Sequence, residues 1–139
     1  MKKCLNLAFF YAMAAIACGV FYREFTKFHG FTGRTALAFT HLHLFVLGTV
    51  LFLILGLYAQ STALTAQPAF RGFLVTYNIA LPFLVGMFFV RGIPQVLGTV
   101  LSPGVNAAIS GLAGLSHTLL TAALVLLFLA LKKAARPAD

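Results

Sequence analysis

Four long apolar stretches dominate the chain and restrict it to one class of fold. They cover about residues 4–22, 35–58, 69–90 and 108–131, and each is close to the roughly 20 residues that a helix needs to cross the hydrocarbon core. A segment inside a bilayer must satisfy its own backbone hydrogen bonds, so runs of this length form helices. The sequence therefore predicts an all-α integral membrane four-helix bundle, with residues 1–139 as one domain.

The composition excludes several functional classes. The chain is 61% hydrophobic and 9% charged, with a mean hydropathy of +0.99, which is outside the range of soluble domains. Its net charge of +8 would suggest nucleic acid in a soluble protein, but here the basic residues mostly flank apolar runs, where they anchor helices at the lipid headgroups. Only Glu24 and Asp139 are acidic. A catalytic pair of carboxylates is excluded, no catalytic residues are predicted, and whether the chain is an enzyme stays open.

The segments between the apolar runs are short. Residues 23–34 are polar, aromatic and punctuated by glycine, and they are predicted to form a loop at the membrane surface. Residues 59–68 form a turn. Pro82 interrupts the third run, and residues 91–107, with two prolines, are predicted to form a short interfacial segment between spans three and four.

The distribution of basic residues predicts the orientation in the membrane. Four spans place both termini on one side, and that side carries Lys2, Lys3, Arg71, Lys132, Lys133 and Arg136. The opposite side carries Arg23, Lys27, Arg34 and Arg91. The excess of positive charge favours cytoplasmic termini. We expect a multi-pass membrane protein with both termini in the cytoplasm.

Three histidines inside the apolar runs are the leading candidates for function. An imidazole in hydrocarbon must still satisfy two ring nitrogens, so intramembrane histidines usually mark functional sites. His41 and His43 lie about 9 to 12 Å below the start of span two, and His117 lies about 13 Å below the start of span four, at 1.5 Å per helical residue. Two residues apart on a helix, His41 and His43 point in nearly opposite directions.

Paired imidazoles on two helices of a bundle are typical of b-type haem. His117 has Gly114 and Thr121 on its face of span four, which leaves room for a flat ligand. We therefore predict that His41 and His117 are the axial ligands of haem iron. His43 is then either a ligand of a second haem on the outward face or an orienting group.

Three arginines on the same side of the membrane as the histidines are candidates to bind the haem propionates, since guanidinium groups recognise carboxylates well. They are Arg23, Arg34 and Arg91. Two axial histidines leave iron without an open position, which favours electron transfer over oxygen chemistry. Redox or gas sensing and an accessory role in a respiratory complex are the other roles considered. The expected partners are lipid, haem, and further copies of the chain or a respiratory membrane complex; nucleic acid is not expected.

Two other interpretations remain open. Cys18 and Met87 lie toward the same side as the histidines, and sulfur together with imidazole is a ligand set that Cu(I) prefers. Copper is therefore the alternative cofactor. The histidines are also compatible with interhelical hydrogen bonds in a cofactor-free structural or partner-binding subunit.

Several sequence motifs together resemble a known family. They are Gly19–Phe28 (GVFYREFTKF), Gly30–Gly33 (GFTG), His41–His43, Arg91–Gly98 with its RGxxQVLG pattern, and Ile109–His117 (ISGLAGLSH). The chain resembles a family of small four-span bacterial membrane proteins catalogued only as a domain of unknown function. This resemblance implies a four-helix membrane bundle in the bacterial inner (plasma) membrane, but it implies no activity. More distantly, the His-x-His motif is similar to the haem-ligating helix of haem-copper oxidase subunit I, whose alternate histidines serve haems on opposite faces. That likeness covers three residues and concerns geometry alone.

Overall fold

The protein consists of four long helices joined by short connections, in a computed structural model that describes residues 1–135. The helices are α1 (Lys2–Phe28), α2 (Ala38–Ser61), α3 (Pro68–Leu97) and α4 (Pro103–Ala134). All four are long and apolar enough to cross a membrane, and no strand occurs among residues 1–135. The predicted all-α class with four spans is confirmed, and the chain is a multi-pass protein suited to a lipid bilayer.

The helices extend beyond the apolar runs. α1 continues to Phe28, so half of the predicted loop 23–34 is helical. Only residues 98–102 separate α3 from α4, and the predicted interfacial segment 91–107 is taken up largely by the ends of these two helices. The apolar runs end where the side chains become polar. The helices are longer because their backbone hydrogen bonds continue past that point, into the headgroup layer.

Prolines do not break α3 where the sequence suggested an interruption. Pro82 and Pro94 both lie inside the continuous helix, as is tolerated in membrane helices whose neighbours compensate the lost hydrogen bond. The helix ends at Gly98, which has the left-handed φ of 65° that glycine adopts at no steric cost. Pro103 then starts α4 at a position where its missing N–H is not needed.

The packing order of the helices decides which faces meet. α2 contacts α1 and α3, while α4 packs along α3. Between α1 and α3, the Tyr11 hydroxyl donates a hydrogen bond to Asn78 Oδ1 at 2.8 Å. Phe52 of α2 stacks on Tyr11 and meets Tyr77 edge-on. The aromatic core therefore joins the first three helices, and α4 leaves most of its surface exposed.

Candidate cofactor groove between helices α2 and α4

An apolar groove separates α2 from α4 on the outer surface of the bundle. Its volume is about 470 Å³. It is lined from α2 by Leu51, Ile54, Leu55 and Tyr58, and from α4 by Leu124, Leu127, Phe128, Leu131, Lys132 and Ala135. These residues identify the face that each helix turns toward the groove, and hence which histidines share that face.

His117 lies two turns before the first groove-lining residue of α4, on the same side of the helix. It precedes Leu124 by seven residues, which is two helical turns, so the two side chains project in nearly the same direction. The imidazole is exposed, and its Nδ1 lies 2.8 Å from the carbonyl oxygen of Ala113. The structure therefore places His117 on an open wall and not inside the bundle.

His43 projects, by helical periodicity, toward the same side of α2 as Leu51, because the helix changes its winding directly after this residue. Leu44–Val50 are π-helical, and one added residue delays the rotation by about 100°. His43 and Leu51, eight residues apart, consequently project within about 20° of one another. The ring of His43 meets that of Phe88 edge-on at 4.7 Å between centroids. His43 is therefore the histidine of the His-x-His motif that contacts α3.

The hydrogen bonds of both imidazoles specify the same tautomer. His43 Nδ1 lies 2.8 Å from the carbonyl oxygen of Phe39, as His117 Nδ1 does from that of Ala113. A carbonyl oxygen only accepts, so Nδ1 carries the proton in each case and Nε2 holds the free lone pair. Metal-binding histidines are commonly oriented in this way, by a hydrogen bond from the nitrogen that does not bind the metal.

His41 points away from the groove, toward α1. Its ring stacks on Tyr22 at 6.2 Å between centroids, and Gly19 lies directly against its Cβ. Its Nδ1 is buried without a hydrogen-bond partner. His41 therefore faces α1, whereas His43 faces Phe88 of α3. The pairing of His41 with His117 stays a prediction.

Two of the three predicted arginines lie at one end of the site. Arg91 of α3 donates hydrogen bonds to Asn106 Oδ1 at 3.1 Å and Ser110 Oγ at 2.8 Å. Ser110 lies two turns, about 10 Å, from His117 on the same face of α4. Arg34 and Arg91 line a common pocket of about 430 Å³. Arg23 instead pairs with the neighbouring Glu24 at the exposed end of α1.

A comparison with protein families places the chain in a group. The family described as "Protein of unknown function (DUF2871)" matches residues 1–134. The chain belongs to this family. No curated protein and no solved structure matches the chain. The predicted resemblance to an uncharacterised four-span family is confirmed, while the likeness of the His-x-His motif to oxidase subunit I gains no support from these comparisons.

The side chains considered for copper are spread over different parts of this DUF2871 protein. Cys18 lines a cleft between α1 and α3, together with Pro82 and Gly86, whereas Met87 is buried in α3. Among residues 1–135, no three histidine, cysteine, aspartate or glutamate side chains converge on a point that could hold a metal ion.

Sequence reasoning missed the π-helical stretch Leu44–Val50 and the bond that accompanies it. The hydroxyl of Tyr77, which is fully buried, donates a hydrogen bond to the carbonyl oxygen of Leu47 at 2.7 Å. A mid-span Tyr77-Asn78 pair was the available signal, since buried hydroxyl groups need partners. Nothing in the sequence indicated that the partner would be the backbone of α2.

Proposed function

We propose that this protein binds b-type haem in the α2–α4 groove, with His43 and His117 as the axial ligands. The observation that carries the proposal is that both imidazoles keep Nε2 free and project, by helical periodicity, in nearly the same direction as Leu51 and Leu124, which line the groove about two turns further along each helix. An exposed imidazole in hydrocarbon is costly when it has no partner. Iron coordination would provide that partner for both side chains.

The groups around the two histidines would fit the propionate edge and the apolar edge of a haem. Arg91 lies one turn from Phe88, the ring that contacts His43, and its guanidinium reaches α4 at Ser110. Arg91 and Arg34 would bind the propionates at this end by charge-assisted hydrogen bonds. The leucine-rich part of the groove would cover the apolar edge of the ring.

Electron transfer is the role that we infer for the bound group. Haem held by two histidines supplies a one-electron couple and leaves iron no open position for a substrate. The residues of the chain then orient the imidazoles, neutralise the propionates and exclude water. Redox sensing, with a respiratory membrane complex or further copies of the chain as partners, uses the same chemistry. We place the protein in the bacterial inner membrane with cytoplasmic termini.

A cofactor-free, partner-binding subunit is the competing function. The observation that favours it is the exposure of His117 together with most of α4. In that case another membrane helix would cover the imidazole and donate a hydrogen bond to Nε2, at a gain of about 0.6 kcal/mol per bond.

Absorption spectra of the purified protein and three variants separate these functions. Protein made in haem-replete cells should show a Soret band and sharp visible bands on reduction. His43→Ala and His117→Ala should each give five-coordinate haem or none, while His41→Ala, the matched control, should keep the parent spectrum. A colourless parent, or unchanged spectra in all three variants, would refute haem binding. A colourless parent that retains copper would support the alternative metal.

A further inference from the structure

We infer that Tyr77 is a positioning residue for His43, which it holds against Phe88 of α3 by stabilising the π-helical stretch of α2. The importance of this positioning for haem binding rests on the proposed function, but the hydrogen bond from Tyr77 to α2 is a property of the polypeptide itself. It joins the fully buried hydroxyl of α3 to the backbone of α2 one turn below His43.

The backbone hydrogen bonds show where the helix changes its winding. The backbone N–H groups at the end of the π-helical stretch donate to the carbonyl oxygens of Val46 and Gly48. In a regular α-helix the N–H of Leu51 would donate to Leu47, four residues earlier. The carbonyl oxygen of Leu47 instead accepts the hydroxyl of Tyr77 at 2.7 Å. Tyr77 therefore stabilises the carbonyl that the π-helical pattern leaves without its usual donor, and a buried carbonyl without a donor is costly.

The direction of His43 depends on this stretch. Without the extra residue per turn, the part of α2 before Leu47 would rotate by about 100° relative to the part after it. The lower part is packed on both neighbours, since Phe52 touches Tyr11 and Tyr77. A return to regular α-helix would therefore turn His43 away from Phe88 and out of the groove.

Tyr77→Phe tests the inference, since it removes one hydroxyl and keeps the ring. Tyr11→Phe is the matched control, because Tyr11 is also buried and also donates a hydrogen bond, but to Asn78 and not to α2. NMR spectra of the full chain in lipid nanodiscs, without added haem, report both the winding of α2 and the contact between α2 and α3. In Tyr77→Phe we expect the Leu47 Hα to Leu51 H–N contact of a regular α-helix to appear and the His43 to Phe88 ring contact to be lost. Tyr11→Phe should keep the parent pattern.

A deletion gives a second, independent variant. Removing Val50, which lies in the π-helical stretch and is exposed, takes out the extra residue and should yield a regular α-helix with His43 still beside Phe88. In that background Tyr77→Phe should no longer affect the ring contact. This rescue distinguishes positioning from a general loss of stability.

The haem-loaded protein supplies the functional measurement. Tyr77→Phe should convert the six-coordinate spectrum into a mixture with five-coordinate haem, whereas Tyr11→Phe should not. An unchanged π-helical pattern in Tyr77→Phe, or its loss with the His43 to Phe88 contact intact, would overturn the inference. If the parent binds no haem while the NMR contacts change as expected, haem binding fails and the role of Tyr77 stands.

Discussion

At the scale of single residues, the hydrogen bond to the histidine's own helix decides which ring nitrogen of the imidazole stays free. His29, His43 and His117 all place Nδ1 2.8 Å from the carbonyl oxygen four residues earlier. This contact leaves Nε2 as the free nitrogen. His41 makes no such bond, and its Nδ1 is buried without a partner. Of the two histidines in the His-x-His motif, only His43 is thus oriented as a metal-binding histidine commonly is.

Two glycines should be sensitive to replacement by alanine because other residues approach them closely. A Cβ on Gly48 would lie 2.6 Å from Tyr11 Cβ, and one on Gly92 would lie 2.6 Å from the backbone nitrogen of Leu37. Gly48→Ala and Gly92→Ala should each lower the free energy of unfolding by about 1–3 kcal/mol. Titration with a denaturing detergent, followed by circular dichroism, measures the change.

The control for these substitutions is a glycine with space around it. No atom lies within 4 Å of a Cβ built on Gly86 or Gly111, so Gly86→Ala and Gly111→Ala should be neutral or slightly stabilising, since alanine favours helix. Equal destabilisation by all four changes would contradict the close packing inferred at Gly48 and Gly92.

At the scale of secondary-structure elements, polar side chains join the helices at both of the major contacts of α3. Thr35 Oγ1, just before α2, donates to the carbonyl oxygen of Gly92 at 2.9 Å, and Arg91 of α3 reaches Asn106 and Ser110 of α4. Adjacent residues of α3 therefore hold the starts of α2 and α4. This connection fixes the spacing of the helices at the end of the bundle where Arg34 and Arg91 lie.

Arg91→Ala should weaken haem retention without changing the axial ligands. The substitution removes the guanidinium that we assign to a propionate, whereas His43 and His117 are untouched, so the visible spectrum of the remaining haem should match the parent. One lost charge-assisted hydrogen bond of about 1.5–3 kcal/mol corresponds to roughly a 10- to 100-fold rise in the haem dissociation constant. Haem transfer to an apo-globin acceptor measures it.

Arg23→Ala is the matched control, because Arg23 pairs with Glu24 at the exposed end of α1 and does not line the pocket of Arg34 and Arg91. Its haem affinity should equal that of the parent. An equal loss in both variants would indicate a general effect of surface charge and not a propionate contact.

At the scale of the whole molecule, the bundle is asymmetric. α1, α2 and α3 share an aromatic core, while α4 packs along α3 and keeps an open groove toward α2. The histidines, Arg34 and Arg91 all lie in the half of the bundle away from the termini. Orientation in the membrane therefore decides which compartment the proposed site faces.

We predict that the termini face the cytoplasm, because the terminal side carries the larger number of basic residues. A reporter fused after Asp139, which lies outside the described residues, should be active in the cytoplasm. A reporter inserted between Gly30 and Gly33 should be active only on the outer side. The reverse activities would move Arg34, Arg91 and the proposed propionate contacts to the cytoplasmic face.

The sequence by itself determined the class of fold and the set of residues worth considering. Apolar runs of spanning length force helices, because backbone groups in hydrocarbon must pair within the segment. The cost of burying an imidazole likewise singles out His41, His43 and His117. Both inferences depend on local chemistry, which the sequence states directly. The sequence did not determine where the helices end, because helical hydrogen bonds continue beyond the point where the side chains become polar.

The tertiary structure alone decided which helix each histidine of the His-x-His motif faces. Periodicity shows that His41 and His43 point in different directions, but it cannot say that α1 covers the first and that Phe88 of α3 contacts the second. The π-helical stretch Leu44–Val50 then sets the phase of His43 relative to the rest of α2. That stretch persists because Tyr77, thirty residues further along the chain, donates to Leu47. A contact between distant residues carries no local signature, so only the folded bundle reveals it.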